Sequence, residues 1–436
     1  MNYRDLSILN WKLATLADQI RQCEEQQCSG IDEAIASAAD KITELARGFY
    51  ALSPDPVLRA KEPDSIEDIL KLCPPGGGQV LFDSLPADYD DKLKGAMLSR
   101  FAGCTLGAIV EGWTAERIES YAHELGIEHP LTDYWTDTPT PDLVRYFDSP
   151  CKDYLRDNLN SVPNDDDVAF VILSLLIAEE NGGLDFTLDG VAATWLKYVT
   201  LAYTAEDAAL RNLKAGISPD HAAEKDNPYQ EWIGADIRCD GYAYMAPGNP
   251  RLAARLAYTD AYLTHRRNGI YGSMFFAAAI SAAFALGDPF KALETALLEI
   301  PAECRLAEGI RWALVERFNV HDWKDAVRLT DERYPGMSNV HTLNNACLVV
   351  FALHLGGKDI GKCFSNAVAM AHDNDCTAAT VGSIAGACYG LGALDKKWYE
   401  RFNGKVKCFY NGPKMYRIDD LLARYRRLAE TSFSRS

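Results

Sequence analysis

Two clusters of aspartates each lead directly into an apolar, helix-like segment of the sequence. The first, at residues 164–167, reads Asn-Asp-Asp-Asp and precedes the run Val168–Leu173. The second, at residues 373–377, reads Asp-Asn-Asp-Cys-Thr and precedes a run of mostly small residues, 378–387. Carboxylates beside buried apolar surface are costly unless they are paired or bind a metal. If the fold brings the clusters together, they can share a hard cation, which makes a metal-dependent enzyme the first hypothesis.

Each cluster taken alone also fits the start of a helix, where an aspartate caps the backbone and complements the helix dipole. In the second cluster, Thr377 is another candidate for the cap. Capping accounts for one or two aspartates but poorly for three in a row, because they repel and only one can occupy the cap. A divalent cation would relieve that repulsion.

A glycine-rich segment at residues 95–112 carries another candidate carboxylate, Glu111. Glycines stand at positions 95, 103, 107 and 112 among apolar residues. Because glycine inside a helix costs about 1 kcal/mol relative to alanine, four in one segment indicate close helix packing or close approach of a ligand. The alternative interpretation of Glu111 is a solvated helix end.

The segment 227–242 mixes aromatic, charged and glycine residues without periodicity, which predicts an ordered loop. Ordered loops often carry function. Its aromatic side chains either stack on a base or sugar or fill a gap between helices, and the sequence leaves both open. His265 follows shortly after, but a single histidine beside a helix is usually structural.

The elements that must position these residues are helices. Residues 5–23 and 30–51 carry apolar positions at a spacing of three to four and predict a helical hairpin. A Pro- and Gly-rich stretch, 53–90, follows as a loop or linker. Helix-like segments fill the remainder and strand-like alternation is nearly absent. We therefore predict an all-α protein, with a helical appendage at 1–90 and a compact multi-helix domain at 91–436.

The composition of the chain indicates which kinds of partner it can bind and in which compartment it is expected. The 436 residues carry a formal net charge of −18, which argues against nucleic acid or an anionic membrane as the main partner. Phosphate can still be held locally by a helix N-terminus or a metal. Twelve cysteines without zinc-binding spacing predict free thiols and a reducing compartment. With no signal-peptide pattern and no apolar run of 18 residues, the expectation is a cytoplasmic protein.

In their order along the chain, these segments resemble the ADP-ribosylglycohydrolase family, all-α metal-dependent hydrolases that remove ADP-ribose from proteins and other acceptors. The family's glycine-rich helix ending in Glu is matched by 103–111. Its Thr-Asp-Asp-Thr-like motif is matched by 164–167, and its Gly-Asp-Thr-Asp-Thr-like motif by 372–376. The resemblance continues through 249–265 and 379–387, and covers roughly residues 91–395.

The resemblance implies two Mg²⁺ ions between the clusters, with Asp375 bridging them. It implies catalytic roles for Glu111 and Asp166, with Glu111 near the reacting ribose as a general base or as a stabiliser of oxocarbenium charge. The implied metal ligands are Asn164, Asp165, Asp166, Asp373, Asp375, Cys376 and Thr377. The candidate substrate-binding residues are Gly107, Asn227, Tyr229, Glu231, Trp232, His265, Tyr271 and Gly272.

The chain departs from the family pattern at several positions. Asn164 and Asp167 replace the two threonines of the first motif, and both still offer oxygen. Cys376 stands where the family usually has a metal-binding threonine, and a thiol is a poor ligand for Mg²⁺. Thr377, next along the chain, would compensate. Cys104 replaces an aspartate that is common in the first motif.

The leading hypothesis is a Mg²⁺-dependent glycosidase that hydrolyses the C1″ N- or O-glycosidic bond of an ADP-ribosyl or related ribosyl substrate. An ADP-ribosylated protein is one candidate substrate, and neither nucleic acid nor a membrane is expected as a partner. The alternatives are a small-riboside hydrolase of the same fold and a binding or structural protein whose metal site is degraded.

Overall fold

The computed structural model describes residues 4, 6–138, 140–147 and 151–435. The chain divides into two compact units, one of residues 1–60 with 334–336 and one of residues 61–333 with 337–436. Residues 61–90 thus group with the larger unit, whereas the sequence placed them in the appendage. The domain division at residue 90 stays a prediction.

The smaller unit is built around a helical hairpin, as the apolar spacing predicted. Helix α1 spans Ser7–Glu25 and helix α2 spans Ile31–Tyr50. Gly30 precedes α2 with φ +78°, a left-handed conformation that glycine adopts without steric cost. No residue of either helix is buried.

The remaining helices are connected by loops and 3₁₀ turns of varied length. They are α3 Pro56–Lys61, α4 Ile66–Leu72, α5 Tyr89–Gly107, α6 Ala115–Glu124, α7 Pro141–Phe147, α8 Asp166–Glu180, α9 Leu188–Tyr198, α10 Thr204–Lys214, α11 Asp240–Met245, α12 Pro250–Ala261, α13 Asn268–Leu286, α14 Pro289–Ala296, α15 Arg305–Glu316, α16 Trp323–Arg333, α17 Thr342–Gly356, α18 Ile360–Ala369, α19 Asn374–Tyr389 and α20 Ile418–Ser432.

A small antiparallel ladder is the one sheet among the described residues. Strand β1, Lys405–Lys407, pairs with strand β2, Met415–Arg417, with Val406 opposite Tyr416. The connection between them contains Asn411 and Gly412, a pair that favours turns. Helices make up almost all the regular structure, so the all-α prediction is confirmed.

Helices α5 and α19 form the centre of the larger unit and pack in close contact through small residues. A Cβ added at Gly103 would lie 2.4 Å from the carbonyl oxygen of Ala378, and one added at Gly382 would lie 2.4 Å from that of Ser99. A larger side chain at either position would force the two helices apart. The glycines of α5 therefore serve close helix packing, one of the two functions that the sequence predicted.

Two helical segments are long and apolar enough to cross a membrane by length and composition alone. They are Tyr89–Val110 and Asn268–Leu286, and their apolar windows are 94% and 89% buried inside the structure. A helix that is apolar on all sides is expected where other helices surround it. Both segments accordingly form the core of the larger unit.

The segment after α3 is tied to the larger unit by buried polar contacts. Glu62 is fully buried and accepts hydrogen bonds from Arg305, with Nη2 at 2.7 Å from Oε2. Asp64 accepts from the backbone N–H of Arg267 at 2.8 Å, and Leu81 donates from its backbone N–H to Gly248 at 2.7 Å. The segment has little regular structure between α4 and α5, but these contacts fix its path.

Candidate metal centre and cavity

A cavity of about 540 Å³ lies where α8 and α19 begin and α5 ends. Its volume is within the range of small-molecule binding sites. Its described lining residues are Glu111, Tyr154, Asn164, Asp165, Asp166, Leu201, Tyr203, Thr204, Glu206, Trp232, Ile233, Gly234, Ile237, Val340, Asp373, Asp375, Cys376 and Phe409. The two aspartate clusters and the end of the glycine-rich helix, far apart in sequence, thus meet at one site.

The first cluster is partly explained by helix capping. Asp165 is the N-cap of α8, and its Oδ1 accepts a hydrogen bond from the backbone N–H of Asp167 at 3.0 Å. Asp166 begins the helix and also accepts from that N–H, at 3.2 Å. Because one N–H is shared by two carboxylates, capping alone does not account for Asp166 at the cavity wall.

The second cluster has no capping function for its carboxylates. Asp373 is the N-cap of α19, but its side chain makes no cap hydrogen bond. Among the described residues, Asp373 Oδ1 and Asp375 Oδ1 are buried and have no hydrogen-bond partner. Buried carboxylate oxygens without partners are costly, so this pair is the feature of the site that most requires a ligand.

The backbone before this cluster is held in an unusual conformation. Ala371 and His372 have φ values of +59° and +60°, a left-handed geometry that disfavours residues with a Cβ. Strain of this kind persists where the surrounding structure enforces it, and it is frequent at functional sites. It directs the chain from α18 into α19 so that Asp373 and Asp375 lie at the cavity.

Glu111 reaches the site because α5 runs directly against the start of α19. A Cβ at Gly107 would lie 2.5 Å from the Cα of Asp375, so glycine is required there for the approach. A 3₁₀ turn, Ala108–Val110, then places Glu111 at the cavity. Partial burial, together with the nearby Asp373 and Asp166 carboxylates, raises the pKa of Glu111 to about 7.

The acidic side chains fall into three overlapping groups, each with its ligand atoms within 4.8 Å of one another. The groups are Glu111–Asp373–Asp375, Asp167–Asp375–Cys376 and Cys104–Asp165–Asp167. Asp375 belongs to two of them, which is the arrangement that a bridging ligand would have. The first group offers oxygen atoms alone, the donor type that Mg²⁺ and Ca²⁺ prefer.

The negative charge of the site greatly exceeds the positive charge beside it. Burial and neighbouring carboxylates raise the pKa of both Asp165 and Asp375 well above the usual range. Arg100 contacts the first cluster, and its guanidinium is shared between Asp167, at 2.8 Å, and Asp240, at 2.9 Å. A bound divalent cation would offset the remaining repulsion, so the donor set fits a metal.

The other predicted metal ligands have different surroundings. Asn164 lines the cavity, and its backbone carbonyl accepts a hydrogen bond from the Tyr154 hydroxyl. The Cys376 thiol lines the cavity too and donates to Asp167 Oδ2 at 3.1 Å. Thr377 is buried behind the cavity wall, and its hydroxyl donates to the carbonyl of Asn374 at 3.3 Å.

Of the predicted substrate-binding residues, Trp232 lines the cavity and the other seven do not. Gly107 packs against Asp375 as described above, and Gly272 packs against Asp236. The Asn227 amide donates to the carbonyls of Ala223 and Thr264. These three residues shape helices and loops around the site.

The remaining four predicted substrate-binding residues make contacts with neighbouring side chains and backbone. Tyr229 packs on Trp232 with ring centroids 4.6 Å apart. Glu231 is bound by Arg267 at 2.9 Å and by Arg305 at 2.6 Å. His265 is buried with its Nδ1 at 2.7 Å from the Thr264 hydroxyl, and the Tyr271 hydroxyl donates to the Pro63 carbonyl. Direct contact of these residues with a substrate stays a prediction.

The structure also adds residues that the sequence did not indicate. Leu201, Tyr203 and Phe409 form an apolar wall of the cavity, and Glu206, which makes an ion pair with Arg238, lines the same cavity. Asp167, a member of the first cluster that was not among the predicted metal ligands, belongs to two of the metal-ligating groups. No motif marks the apolar wall, because Leu201 and Tyr203 come from the loop before α10 and Phe409 from the connection between β1 and β2, which only the fold brings together.

Comparison with known proteins assigns the chain to a family. The family model described as ADP-ribosylglycohydrolase matches residues 85–432. One similar solved structure is titled "ADP-ribosylglycohydrolase-related protein complex"; it is 19% identical, with 80% of this chain and 100% of that chain covered and a TM-score of 0.49. No curated protein matches the chain.

Proposed function

Because the chain belongs to the ADP-ribosylglycohydrolase family, we propose that it is a Mg²⁺-dependent glycosidase that hydrolyses the C1″ bond of an ADP-ribosyl or related ribosyl substrate. The family supports a hydrolase acting on ADP-ribose-type substrates. The metal, the leaving group and the cytoplasmic location expected from the sequence are parts of the proposal. An ADP-ribosylated protein is one candidate substrate.

The observation that carries the proposal is the meeting of Glu111, Asp373 and Asp375 at one cavity. The oxygens Asp373 Oδ1 and Asp375 Oδ1 are buried without partners, so the site is prepared for a group that the protein itself does not supply. Asp166 and Asn164 face the same cavity from α8 and its preceding loop. These residues would hold the cations, and when bound the cations would orient the ribose hydroxyls and stabilise developing negative charge.

Glu111 is the group best placed for proton transfer. Its raised pKa of about 7 lies near the pH at which a general acid or base works most efficiently. As a carboxylate it can accept a proton from the attacking water or stabilise positive charge that develops at C1″. Its position after the 3₁₀ turn fixes it beside Asp373 and Asp375, where the ribose hydroxyls would be held.

The apolar wall supplies the binding surface for the remainder of the substrate. Tyr203 and Phe409 of this wall line the cavity together with Trp232. Aromatic faces stack on planar rings and on sugars. The carboxylates that line the cavity would bind the reacting ribose. The base or other leaving group would then lie against the wall.

The decisive experiment combines ligand binding with activity. The EDTA-treated protein is titrated with Mg²⁺ and ADP-ribose by thermal shift, and release of ADP-ribose from ADP-ribosylated protein is measured with and without Mg²⁺. Ligand at 100 times its Kd should stabilise the protein by about 2.7 kcal/mol. Asp375→Asn should lose the Mg²⁺ response and lower activity at least about 100-fold. Asp189→Asn, on the exposed face of α9, is the matched control.

An absence of stabilisation by either ligand, together with no release from any substrate, would contradict both enzyme hypotheses and favour a non-catalytic protein on this fold. Full activity in Asp375→Asn would exclude the bridging role assigned to this residue.

A small-riboside hydrolase is the second candidate, and the charge of the cavity favours it. Six of the described lining residues are carboxylates, and none of the described lining residues is Lys, Arg or His. A diphosphate would therefore meet repulsion that the cations alone must offset. Comparing kcat/KM for an ADP-ribosyl substrate and for an uncharged aryl riboside, at equal Mg²⁺, separates the two. A preference for the uncharged substrate would select the second candidate.

A further inference from the structure

The helical hairpin carries two strict heptad repeats of apolar residues. Their spacing alternates between three and four positions throughout, which is the pattern of helices that pack side by side with a left-handed supercoil. The repeat comprises Leu6, directly before α1, and Leu9, Leu13, Leu16, Ile20 and Cys23 along it; in the second helix it comprises Ile31, Ile35, Ala38, Ile42, Leu45 and Phe49 along α2, and Leu52 shortly after it.

Much of this apolar surface is uncovered within the hairpin. The two helices contact each other mainly near the turn, where Leu16, Ile20 and Ile31 are half-buried. Toward the open end the same repeat is exposed, with Leu45 at 67% and Phe49 at 72% of their maximal accessible surface. Among the described residues, the open end of both apolar stripes is therefore left uncovered, and burying it requires a further apolar surface.

The residues that flank the repeat define what kind of partner fits. Alanines stand at the flanking positions 17, 34, 39 and 46, which widens the apolar face beyond a two-stranded seam. A face of this width is typical of helices in a four-helix bundle. The missing element is therefore a second helical hairpin of similar length.

The charges of the hairpin indicate that this second hairpin is another copy of the same chain. The half near the turn carries Asp18, Glu24, Glu25, Asp32 and Glu33 against Arg21, whereas the open half carries Lys12, Lys41 and Arg47 against Asp40 and Glu44. An antiparallel pair places each acidic turn half beside the basic residues of the partner's open half. A parallel pair would place the acidic halves together.

We propose that two copies of this chain associate through residues 6–52 to form an antiparallel four-helix bundle. The contact is isologous, so a twofold axis closes it and no further copies add. The acidic turn half disfavours an anionic membrane as the occupant of the apolar face, because interfacial helices are rich in Lys and Arg.

Sedimentation equilibrium or light scattering of the full chain tests the proposal. The expected mass is twice the 48.2 kDa of the chain, falling to the single-chain mass on dilution. Ile42→Asp, within the repeat, should raise the dimer Kd at least 100-fold. Ser37→Asp, on the outward face of the same helix, should leave it unchanged.

Because Ile42→Asp can also unfold the hairpin, a charge reversal provides a second test that leaves the apolar repeat intact. Glu24→Lys with Asp32→Lys should weaken the dimer about tenfold, and adding Lys12→Glu with Lys41→Glu should restore it. A single-chain mass at every concentration would overturn the proposal. If the hairpin of that single chain also resists proteolysis, its apolar face is covered by the chain itself and not by a second copy. A dimer that neither Ile42→Asp nor the charge reversal weakens would overturn it as well.

Discussion

The thiol of Cys376 donates a hydrogen bond to Asp167 Oδ2 at 3.1 Å, and this contact joins the two aspartate clusters. Each residue stands where the resemblance to the family placed a threonine. The other oxygen of Asp167 accepts from Arg100 at 2.8 Å, so both carboxylate oxygens have partners. These two departures from the family pattern therefore form one contact, in which Cys376 donates to Asp167.

This contact predicts that position 376 requires a hydrogen-bond donor and does not specifically require sulfur. Cys376→Ala leaves Asp167 Oδ2 buried without its donor, which should lower the free energy of unfolding by about 1–3 kcal/mol. Cys376→Ser keeps a donor of similar size and should lie within about 1 kcal/mol of the parent protein. Urea unfolding of the EDTA-treated proteins measures both. Equal destabilisation by Ala and Ser would show that the hydrogen bond contributes nothing.

The raised pKa values predict that the metal-free protein loses stability as the pH rises. Glu111 and Glu206 have pKa values of about 7 in the fold, chiefly because of burial, against 4.5 for an ordinary Glu. A carboxyl with a raised folded pKa contributes stability that is complete below pH 4.5 and is lost as the pH passes through 7. The melting temperature in EDTA should therefore fall between pH 5 and pH 8, by roughly 2–4 °C for each kcal/mol lost.

Mg²⁺ should reverse this trend, because it binds the ionised carboxylates. Glu111→Gln should flatten the profile in EDTA, and Glu116→Gln, at an exposed position on α6, should not. A melting temperature that rises with pH in EDTA would contradict the account of Glu111 and Glu206.

Arg238 is predicted to be essential for folding because it neutralises two buried carboxylates. Its guanidinium binds Glu206 and Asp260, the latter at 2.7 Å, and all three side chains are almost fully buried. Arg238→Met leaves both carboxylates without their cation, and loss of one partner from a buried ion pair costs about 3–5 kcal/mol. Thermal or urea unfolding measures the loss. Adding Glu206→Gln to Arg238→Met should recover part of it, and no recovery would show that packing, rather than charge, is responsible.

The sequence predicted the parts of the site that lie on helix starts, and missed those that depend on long-range packing. The aspartate clusters were recognisable because their charge conflicts with the apolar segments that follow. Tyr203 and Phe409 have no such conflict, and only the folded loops bring them to one wall. The segment 227–242 was predicted as an ordered loop, but a 3₁₀ helix at Ile233–Arg238 and the start of α11 occupy its second half. Trp232 lies at the cavity, and Glu231 beside it is held by Arg305, an ion pair between distant segments that no local pattern reveals.

The close packing of α5 on α19 is predicted to control the site directly, because Glu111 follows the end of α5 and Asp375 lies in the first turn of α19. Gly103→Ala would place a methyl group 2.4 Å from the Ala378 carbonyl oxygen. The helices would have to separate, at a cost of about 1–3 kcal/mol. Separation also moves Glu111 away from Asp375, so the Mg²⁺ response should weaken with stability. Gly392→Ala is the matched control, since nothing lies within 4 Å of its added Cβ. Urea unfolding with and without Mg²⁺ measures both effects. If Gly103→Ala is as stable as Gly392→Ala and responds equally to Mg²⁺, this packing does not set the geometry of the site.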